Sequence, residues 1–377
     1  MVARSFFCLF AVFWPMLGAT QQSGAAPTTS EPALQSTPAD PALRNRPAPV
    51  PRGPLSREGR IHLDVIVEDA AGKPVPGLEP WDFTLFDNGR PSKILSFRSY
   101  DGNAVKPEPP VEIILLLDTV NIPFEQIAFT RQQIAKFLGQ DNGHLAHPVS
   151  LMLLTETGLR LQPRPSSDGD ALVSVLDQIK GGVHSITPAM GAEGELERLQ
   201  LSLRQMAAIA ENEARRPGKK LLIWVGPGWP MLDSRNFTFS DKDQRRYFDS
   251  IVELSTQIRE ARMSVYSVSA PWPGMGGAPD TRFLYQDFLK GVRTPRQADS
   301  GNLALKVLVT QSGGRILGPN NQLASQIDEC IADANMFYSI SFDPPPTEHP
   351  NEYHDLTLVV AKAGMTVRTT TGYYDQP

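Results

Sequence analysis

VEIILLLDTVN, residues 111–121, is the stretch around which this chain is organised. Its five apolar residues run without alternation from Ile113 to Leu117 and end at Asp118. Such a run is typical of a strand covered on both faces, as at the centre of an α/β sheet. A carboxylate at the end of that strand lies at the carboxyl edge of the sheet, where ligands of open α/β folds bind. Asp118 is therefore the first candidate site residue; the alternative is that it caps the following helix, whose first turn would carry Pro123.

Strands and helices alternate through residues 108–334, which predicts βαβ units in a doubly wound, mostly parallel sheet. The predicted strands of this region are 111–118, 149–155, 158–162, 220–225, 264–268 and 315–317. The short strand 158–162 is expected to run antiparallel at the sheet edge. The predicted helices are 123–138, 166–179, 193–214, 241–261, 282–290, 302–311 and 323–334. Ser167 or Asp168 is the predicted N-cap of the second of them.

Two β-rich regions, residues 59–107 and 335–377, flank the α/β pattern. Asp87-Asn88-Gly89 is a strong hairpin signal in the first region. The predicted strands are 61–67, 81–86, 94–97, 337–342, 353–360 and 367–374. Three short strands are too few for a self-sufficient sandwich, so we expect the two regions to pack together as one sandwich-like unit.

The first 58 residues have a different composition from the rest. Residues 1–19 have the features of a secretory signal: Arg4, an apolar segment over 6–17 and a small-residue cleavage site at 17–19. Residues 20–58 are rich in Pro, Ala, Ser, Thr and Gln, which predicts a disordered linker. We therefore expect an exported protein, periplasmic, at the cell surface or secreted, with no transmembrane segment after signal cleavage.

Composition narrows the class of protein. The chain is 41% hydrophobic and 20% charged, which is ordinary for a globular protein with a large core. Its net charge of -5 gives no reason to expect a nucleic-acid partner. Export would leave Cys330 as the single cysteine, because Cys8 lies in the signal segment, so we predict no intramolecular disulfide and a buried, apolar role for Cys330.

Signatures of enzymatic chemistry are largely missing from the sequence. No glycine-rich phosphate loop follows a predicted strand, and neither G-x-S-x-G nor H-E-x-x-H occurs. His349, Glu352 and His354 could share a metal ion, but the Pro-rich turn beside them favours a solvated loop. The same interpretation applies to His144 and His147. We therefore expect a protein that is not an enzyme.

The chain resembles the von Willebrand factor A (VWA) domain, in the VWFA-related form common in exported bacterial proteins. The resemblance covers most of residues 59–375 and rests on motifs that occur in the family's order. These motifs are LLLDTVN, LQPRPSSDGDAL, KKLLIWVGPG, TQSGG and YSISF…YHDLTLVV…VRTTTGYYD. It implies a protein-binding domain with a metal-ion-dependent adhesion site, in which a D-x-S-x-S loop, a Thr and a later Asp supply the oxygen ligands that Mg²⁺ prefers.

Carried over to this sequence, the adhesion site is degenerate. Asp118 matches the first ligand, and Ser166 falls at the Thr position. The two serine positions are Val120 and Ile122, which have no side-chain oxygen, and the later Asp falls on or near Pro227. Because Mg²⁺ would be mostly hydrated with so few ligands, we expect no cofactor, with Mg²⁺ at Asp118 and Ser166 as the alternative.

The resemblance also implies which surface binds a partner protein. This predicted face combines residues 118–124, 166–168 and 226–229. Its predicted contact residues are Thr119, Asn121, Asp168 and Trp229. Trp229 would be an exposed anchor, since Trp is enriched in interface hot spots, unless it packs under its own loop. The alternatives are a hydrolase-like enzyme acting through Asp118 at the sheet edge and an inert structural envelope protein.

Overall fold

The computed structural model describes residues 59–102, 106–162, 164–178, 191–230, 240–271, 284–347 and 349–375. The predicted signal segment and linker lie outside the described residues. The described residues form a mixed α/β structure with one mostly parallel sheet and two antiparallel sheets. No helix in these ranges is both long and apolar enough to cross a membrane.

The described strands and helices follow one another along the chain with few interruptions. The strands are β1 (Ile61–Glu68), β2 (Phe83–Asp87), β3 (Arg90–Ser92), β4 (Ser96–Asp101), β5 (Glu112–Asp118), β6 (His144–Thr155), β7 (Gly158–Leu161), β8 (Ser166–Asp168), β9 (Lys220–Val225), β10 (Met263–Val268), β11 (Met336–Phe342), β12 (Glu352–Val360), β13 (Thr366–Arg368) and β14 (Gly372–Asp375). The α-helices are α1 (Phe124–Leu138), α2 (Gly169–Asp177), α3 (Gly191–Ala214), α4 (Asp241–Glu260), α5 (Leu305–Gln311) and α6 (Leu323–Asn335).

The mostly parallel sheet has the strand order β10-β9-β5-β6-β7, with β8 also paired to β6. Strand β5 runs parallel to both of its neighbours, β6 and β9. The prediction that the stretch 111–121 supplies the central strand is confirmed. Strand β7 is antiparallel to β6 at the sheet edge, as its sequence also predicted.

Both faces of β5 are covered, which explains its unbroken apolar run. Ile114 and Leu116 belong to a buried cluster with residues of α3, α4 and α5. Ile113, Leu115 and Leu117 belong to a second cluster with residues of α1, α2 and α6. Cys330 of α6 is fully buried in the second cluster, and burial raises the pKa of its thiol, in agreement with its predicted apolar role. Side chains alternate between the faces of a strand, so Asp118 lies on the side of Leu116, towards α3.

The strands of the two flanking regions pair with each other in two antiparallel sheets, ordered β13-β1-β11-β4 and β14-β12-β2-β3. Leu63 of β1 lies opposite Ile340 of β11, and Leu85 of β2 lies opposite Leu358 of β12. All four side chains belong to one buried cluster. The N-terminal strands therefore bury their apolar face only with the help of strands almost 300 residues later, as the shortness of each region predicts.

The hairpin predicted at residues 87–89 is confirmed. Strands β2 and β3 are antiparallel, with Asp87 opposite Arg90. Asn88 and Gly89 between them have φ values of 48° and 74°. Two consecutive positive φ values are those of a type I′ turn, for which Asn-Gly is the preferred pair.

Four element predictions are wrong in detail. Residues 367–374 form two strands in different sheets, β13 and β14, because the chain crosses between the sheets there. Residues 315–317 contribute a single bridge to β10 in place of a strand. Helix 302–311 begins at Leu305, after a 3₁₀ turn, and the described part of 282–290 holds only a short 3₁₀ helix.

His354 belongs to a buried polar cluster in the second antiparallel sheet, and its prediction as a loop residue is wrong. Its Nδ1 lies 2.7 Å from Oδ1 of Asp87, and the hydroxyl of Tyr373 donates to Oδ2 of the same carboxylate at 2.7 Å. The imidazole also stacks on the ring of Tyr373. His144 and His147, predicted in a loop, lie in strand β6. The Asp87 carboxylate thus joins three strands, β2, β12 and β14.

We predict that the stability of the protein depends on pH through His354. Burial lowers the pKa of His354, but the hydrogen bond and charge of Asp87 together with nearby Glu352 and Asp375 raise it above its ordinary value of 6.5. A raised histidine pKa stabilises the folded state fully below the unfolded pKa, and this contribution is lost as pH rises through the folded pKa. Urea unfolding at about pH 5 and about pH 9 should show this loss as a difference in the free energy of unfolding between the wild type and His354→Gln that becomes smaller as pH rises. His349→Gln, in an exposed turn, is the control, and a wild-type minus His354→Gln difference that stays constant with pH would contradict the assignment.

Candidate functional site

The carboxylate of Asp118 is the centre of a buried polar cluster at the end of β5. Its Oδ1 accepts hydrogen bonds from the backbone N–H groups of Val120 at 3.1 Å and Asn121 at 3.0 Å. Its Oδ2 accepts from Nδ2 of Asn121 and from Nε1 of Trp224, both at 2.9 Å. Asp118 is 0% exposed. Four donors therefore occupy the roughly four lone-pair sites that a carboxylate offers.

This environment determines what Asp118 can do chemically. Burial raises the pKa of the Asp118 carboxyl, and the hydrogen bonds from Asn121, Trp224 and Val120 oppose that rise. A carboxylate that is buried and surrounded by four donors has no open oxygen with which to bind a metal ion or attack a substrate. In this conformation its role is to hold the loop that follows β5.

Asp118 is not the cap of helix α1, which was the alternative interpretation from the sequence. The cap position of α1 is Pro123, and no side chain accepts a hydrogen bond there. Asp118 instead binds the backbone two and three residues ahead of it, in the manner of an Asx turn. The carboxylate therefore shapes the loop before the helix.

Trp224 is a site residue that the sequence analysis missed. It lies on β9 opposite Leu116, and Asp118 is two residues beyond Leu116 on the same face of the sheet. A buried indole N–H needs an acceptor, and Asp118 is the acceptor that this register supplies. The sequence pointed to Trp224 only through the presence of a Trp in the apolar strand KLLIWV. The strand register is needed to identify Asp118 as its hydrogen-bond partner.

Further contacts fix the loop after β5. Nδ2 of Asn121 also lies 3.1 Å from the hydroxyl of Ser202 on α3, a fully buried residue. The hydroxyl of Thr119 donates to the carbonyl of Leu154 on β6 at 2.6 Å. Gly226 packs so close that an added Cβ would lie 2.9 Å from Cβ of Asp118. The loop is thus attached to α3, β6 and the end of β9.

The structure does not bring Ser166 or Asp168 to the Asp118 loop. The prediction that these residues share a binding face with Asp118, and that Ser166 and Asp118 could bind one metal ion, is therefore wrong. Ser166 pairs with Val149 of β6, which pairs with Ile113 at the start of β5. Asp118 lies five residues further along β5, or about 16 Å at roughly 3.3 Å per residue. Asp168, two residues beyond Ser166 on β8, lies still further from the carboxyl edge and caps α2, accepting from the N–H of Ala171.

Trp229 is also not the exposed anchor that the sequence predicted. It is only 6% exposed, and its indole N–H donates to the carbonyl of Leu303 at 3.0 Å. Its ring meets that of Trp224 edge to face, with the centroids 5.1 Å apart. The indole packs beneath its loop because the cluster that contains Trp224 and Leu303 offers both apolar contact and a hydrogen-bond acceptor.

Phe124 is a large apolar side chain at the carboxyl edge with a high exposed fraction. It opens α1 directly after the Asp118 loop and is 59% exposed. Beside it, Ile122 and Gln126 face Pro227 and Ser269 across a crevice of about 10 Å³. Small-molecule sites have volumes of roughly 300–1,000 Å³, so this crevice holds no more than water.

The described residues contain no group of three or more His, Cys, Asp or Glu side chains placed to hold a metal ion. At the predicted serine positions, Val120 and Ile122 are buried apolar residues. The hydroxyl of Thr119 is bonded to the Leu154 carbonyl, and Asn121 donates through Nδ2, so Oδ1 of Asn121 is the one buried side-chain oxygen of the described loop without a hydrogen-bond partner. The residues present therefore do not fit the oxygen cage that Mg²⁺ requires.

Comparison of the sequence with protein families and with curated proteins finds no match. Among solved structures, the chain is similar to the pilus adhesin SpaC from Lactobacillus rhamnosus GG, at 11% sequence identity and a TM-score of 0.32. The similarity covers 80% of this chain and 49% of the adhesin chain, so this chain spans about half of the adhesin's length. A similarity of this size establishes neither a shared fold nor a shared function.

Proposed function

We propose that this chain is an exported, non-enzymatic protein-binding module with a VWA-like α/β domain and a degenerate metal-ion-dependent adhesion site. The observation that carries the proposal is the Asp118 loop, held by four hydrogen bonds immediately before the exposed Phe124. A loop that is already ordered loses little conformational entropy when a partner binds. An exposed aromatic ring on such a loop supplies the large, rigid contact area typical of interface hot spots.

The geometry of Asp118 favours this proposal over a hydrolase-like enzyme. A nucleophilic carboxylate must reach the substrate and is served by a neighbouring base or phosphate-binding group. Asp118 is fully buried, and its donors are two backbone N–H groups, an amide and an indole. Among the described residues of the same edge, the crevice of about 10 Å³ is too small for a substrate.

The wider arrangement is compatible with the VWA resemblance. The motif LLLDTVN lies on the central strand of a mostly parallel sheet, with helices on both faces. We assign residues 108–334 to the VWA-like domain, with 59–107 and 335–377 as its β-rich companion. Export, through residues 1–19 as a signal and 20–58 as a linker, rests on the sequence pattern.

Phe124→Ser tests the proposed binding surface. We expect the purified chain, used as bait for the exported proteins of its source cell, to capture a partner whose affinity falls about thirtyfold with Phe124→Ser, since a hot-spot side chain contributes about 2 kcal/mol. Because Phe124 is mostly exposed, the substitution should leave the unfolding transition in place.

Trp81→Ser is the matched control, since Trp81 is an exposed aromatic residue of the β-rich region. It should leave capture unchanged. If Trp81→Ser abolished capture of the partner and Phe124→Ser did not, the interface would lie in the β-rich region and not at the carboxyl edge. Failure of the bait to capture any exported protein would contradict the proposed function itself.

A further inference from the structure

A polar cavity lies between strand β12 and the segment that precedes α5. Its volume is about 480 Å³, within the roughly 300–1,000 Å³ typical of small-molecule sites. Two cationic and two anionic side chains line it, together with Tyr353: Lys290, Arg293, Asp287 and Asp355. The cavity lies on different elements from the Asp118 loop.

The aromatic walls of the cavity are fixed by close packing against glycines. A Cβ at Gly291 would lie 1.9 Å from the ring of Tyr353, and one at Gly372 would lie 2.0 Å from its hydroxyl. A Cβ at Gly301 would lie 2.4 Å from the ring of Phe288, another lining residue. A larger residue at any of these three glycines would displace Tyr353 or Phe288. The glycines therefore allow the two rings to pack in the positions that shape the cavity.

One side chain of the hairpin, Asn88, contacts both a cationic and an anionic residue of the cavity lining. Oδ1 of Asn88 accepts a hydrogen bond from Nη2 of Arg293 at 3.3 Å and another from the backbone N–H of Asp355 at 3.1 Å. Nη1 of Arg293 donates to the carbonyl of Tyr353 at 3.0 Å. These bonds use two of the five N–H donors of the guanidinium. Arg293 is therefore held in position while other donors remain for a ligand.

We propose that this cavity binds a small zwitterionic ligand of the amino-acid or short-peptide class. A planar guanidinium suits a carboxylate, to which it donates two parallel hydrogen bonds, and Lys290 adds a second positive charge on the same segment. Asp287 and Asp355 supply the opposite charge for the ligand's ammonium group. The ring of Tyr353, which the Arg293 guanidinium overlies at 5.5 Å, forms the apolar floor between the two ends.

The mixture of charges selects this ligand class over simple ions. A phosphate or other compact anion would meet the two carboxylates, and a metal ion would meet the two cationic groups. A molecule that carries both charges can pair its carboxylate with the cationic residues and its ammonium group with the carboxylates. The volume of about 480 Å³ gives room for more than the charged ends alone.

Calorimetric titration of the purified chain with the dipeptides Ala-Ala and Gly-Phe tests the site. We expect at least one of them to bind, and its analogue with both ends blocked, which carries no terminal charge, to bind at least tenfold more weakly. Free alanine identifies the source of the ligand: binding as tight as the dipeptide's assigns the site to amino acids, and weaker binding assigns it to peptides. Absence of binding by the dipeptides and by alanine, or equal binding of the blocked analogue, would overturn the proposal.

Charge-removing substitutions then test which side chains recognise the ligand. Lys290→Gln and Asp355→Asn should each weaken dipeptide binding about tenfold, because both residues are exposed and each removes one partner of the zwitterion. Arg296→Gln, an exposed arginine on the same segment, is the matched control and should leave binding unchanged. Equal losses with Arg296→Gln, or no loss with the other two, would place the ligand elsewhere.

Discussion

Replacing Arg368 with methionine is expected to lower the free energy of unfolding by about 3–5 kcal/mol, because it removes one of the two arginines, Arg315 and Arg368, that pair with two buried carboxylates. Nη2 of Arg368 lies 2.9 Å and 2.8 Å from the two oxygens of Asp333, a residue only 1% exposed. Its Nε lies 3.2 Å from Oε2 of Glu68, which is also buried. Because methionine retains much of the apolar stem of arginine, the loss of stability would measure the contribution of the guanidinium charge and its hydrogen bonds.

Urea unfolding at neutral pH measures this effect, with Arg60→Met as the matched control. Arg60 pairs with Asp343 at 3.0 Å, but both side chains are more than half exposed. The control should therefore cost at most about 1 kcal/mol. A loss below that level for Arg368→Met would show that Arg315 and the hydroxyl of Tyr266, which donates to Asp333 at 2.7 Å, stabilise the carboxylates without Arg368.

The Arg368 cluster also predicts how the protein unfolds. Arg368 and Glu68 belong to the first antiparallel sheet, whereas Asp333 belongs to α6, which packs on the parallel sheet. The cluster therefore couples the β-rich region to the α/β region. Because separating them would expose three charged groups that are paired in the folded state, we expect both regions to unfold in one transition.

Replacing Asp118 with asparagine is the second substitution with a large expected effect. We expect it to lower the free energy of unfolding by about 2–4 kcal/mol. The amide oxygen can still accept from the backbone N–H groups of Val120 and Asn121. The amide nitrogen, however, would point its own hydrogens at the donors Nδ2 of Asn121 and Nε1 of Trp224. At least two buried donors would lose their acceptor, each at about 1–3 kcal/mol.

Asp168→Asn is the control for this experiment. Asp168 was the other predicted carboxylate of the binding face, but it is an exposed helix cap, a position where Asn is as favourable as Asp. It should change stability by less than about 0.5 kcal/mol. Calorimetry with Mg²⁺ and Mn²⁺ completes the test: tight binding by the wild type that Asp118→Asn abolishes at unchanged stability would assign Asp118 to a metal site.

Local patterns in the sequence predicted those features that depend on neighbours along the chain. The apolar run Ile113–Leu117 can be buried only if both faces of its strand are covered, so the run predicts a central strand wherever its partners come from. Asn88-Gly89 has the conformational freedom that a type I′ turn requires, and the hairpin follows. The cap of α2 at Asp168 follows from the same kind of short-range hydrogen bonding.

The candidate site depended on information that is absent from local patterns. Ser166 follows Asp118 in the order of the VWA motifs, yet the register of β8 on β6 places it at the opposite end of the sheet. The indole of Trp229 could equally have faced solvent or the core, and the presence of the Leu303 carbonyl and the Trp224 ring decided between them. Sequence order does not specify which end of a strand a later segment meets.

The sequence by itself determined the central strand, the alternation of strands and helices and the need of the two β-rich regions for each other, because each follows from burying apolar side chains at a fixed period. Only the tertiary structure decided the state of Asp118. A carboxylate at the end of a strand is available for chemistry or closed to it according to which donors surround it. Here Trp224 comes from a strand more than 100 residues away, and with the loop donors it encloses Asp118, so the contact residue that we propose for this edge is its exposed neighbour Phe124.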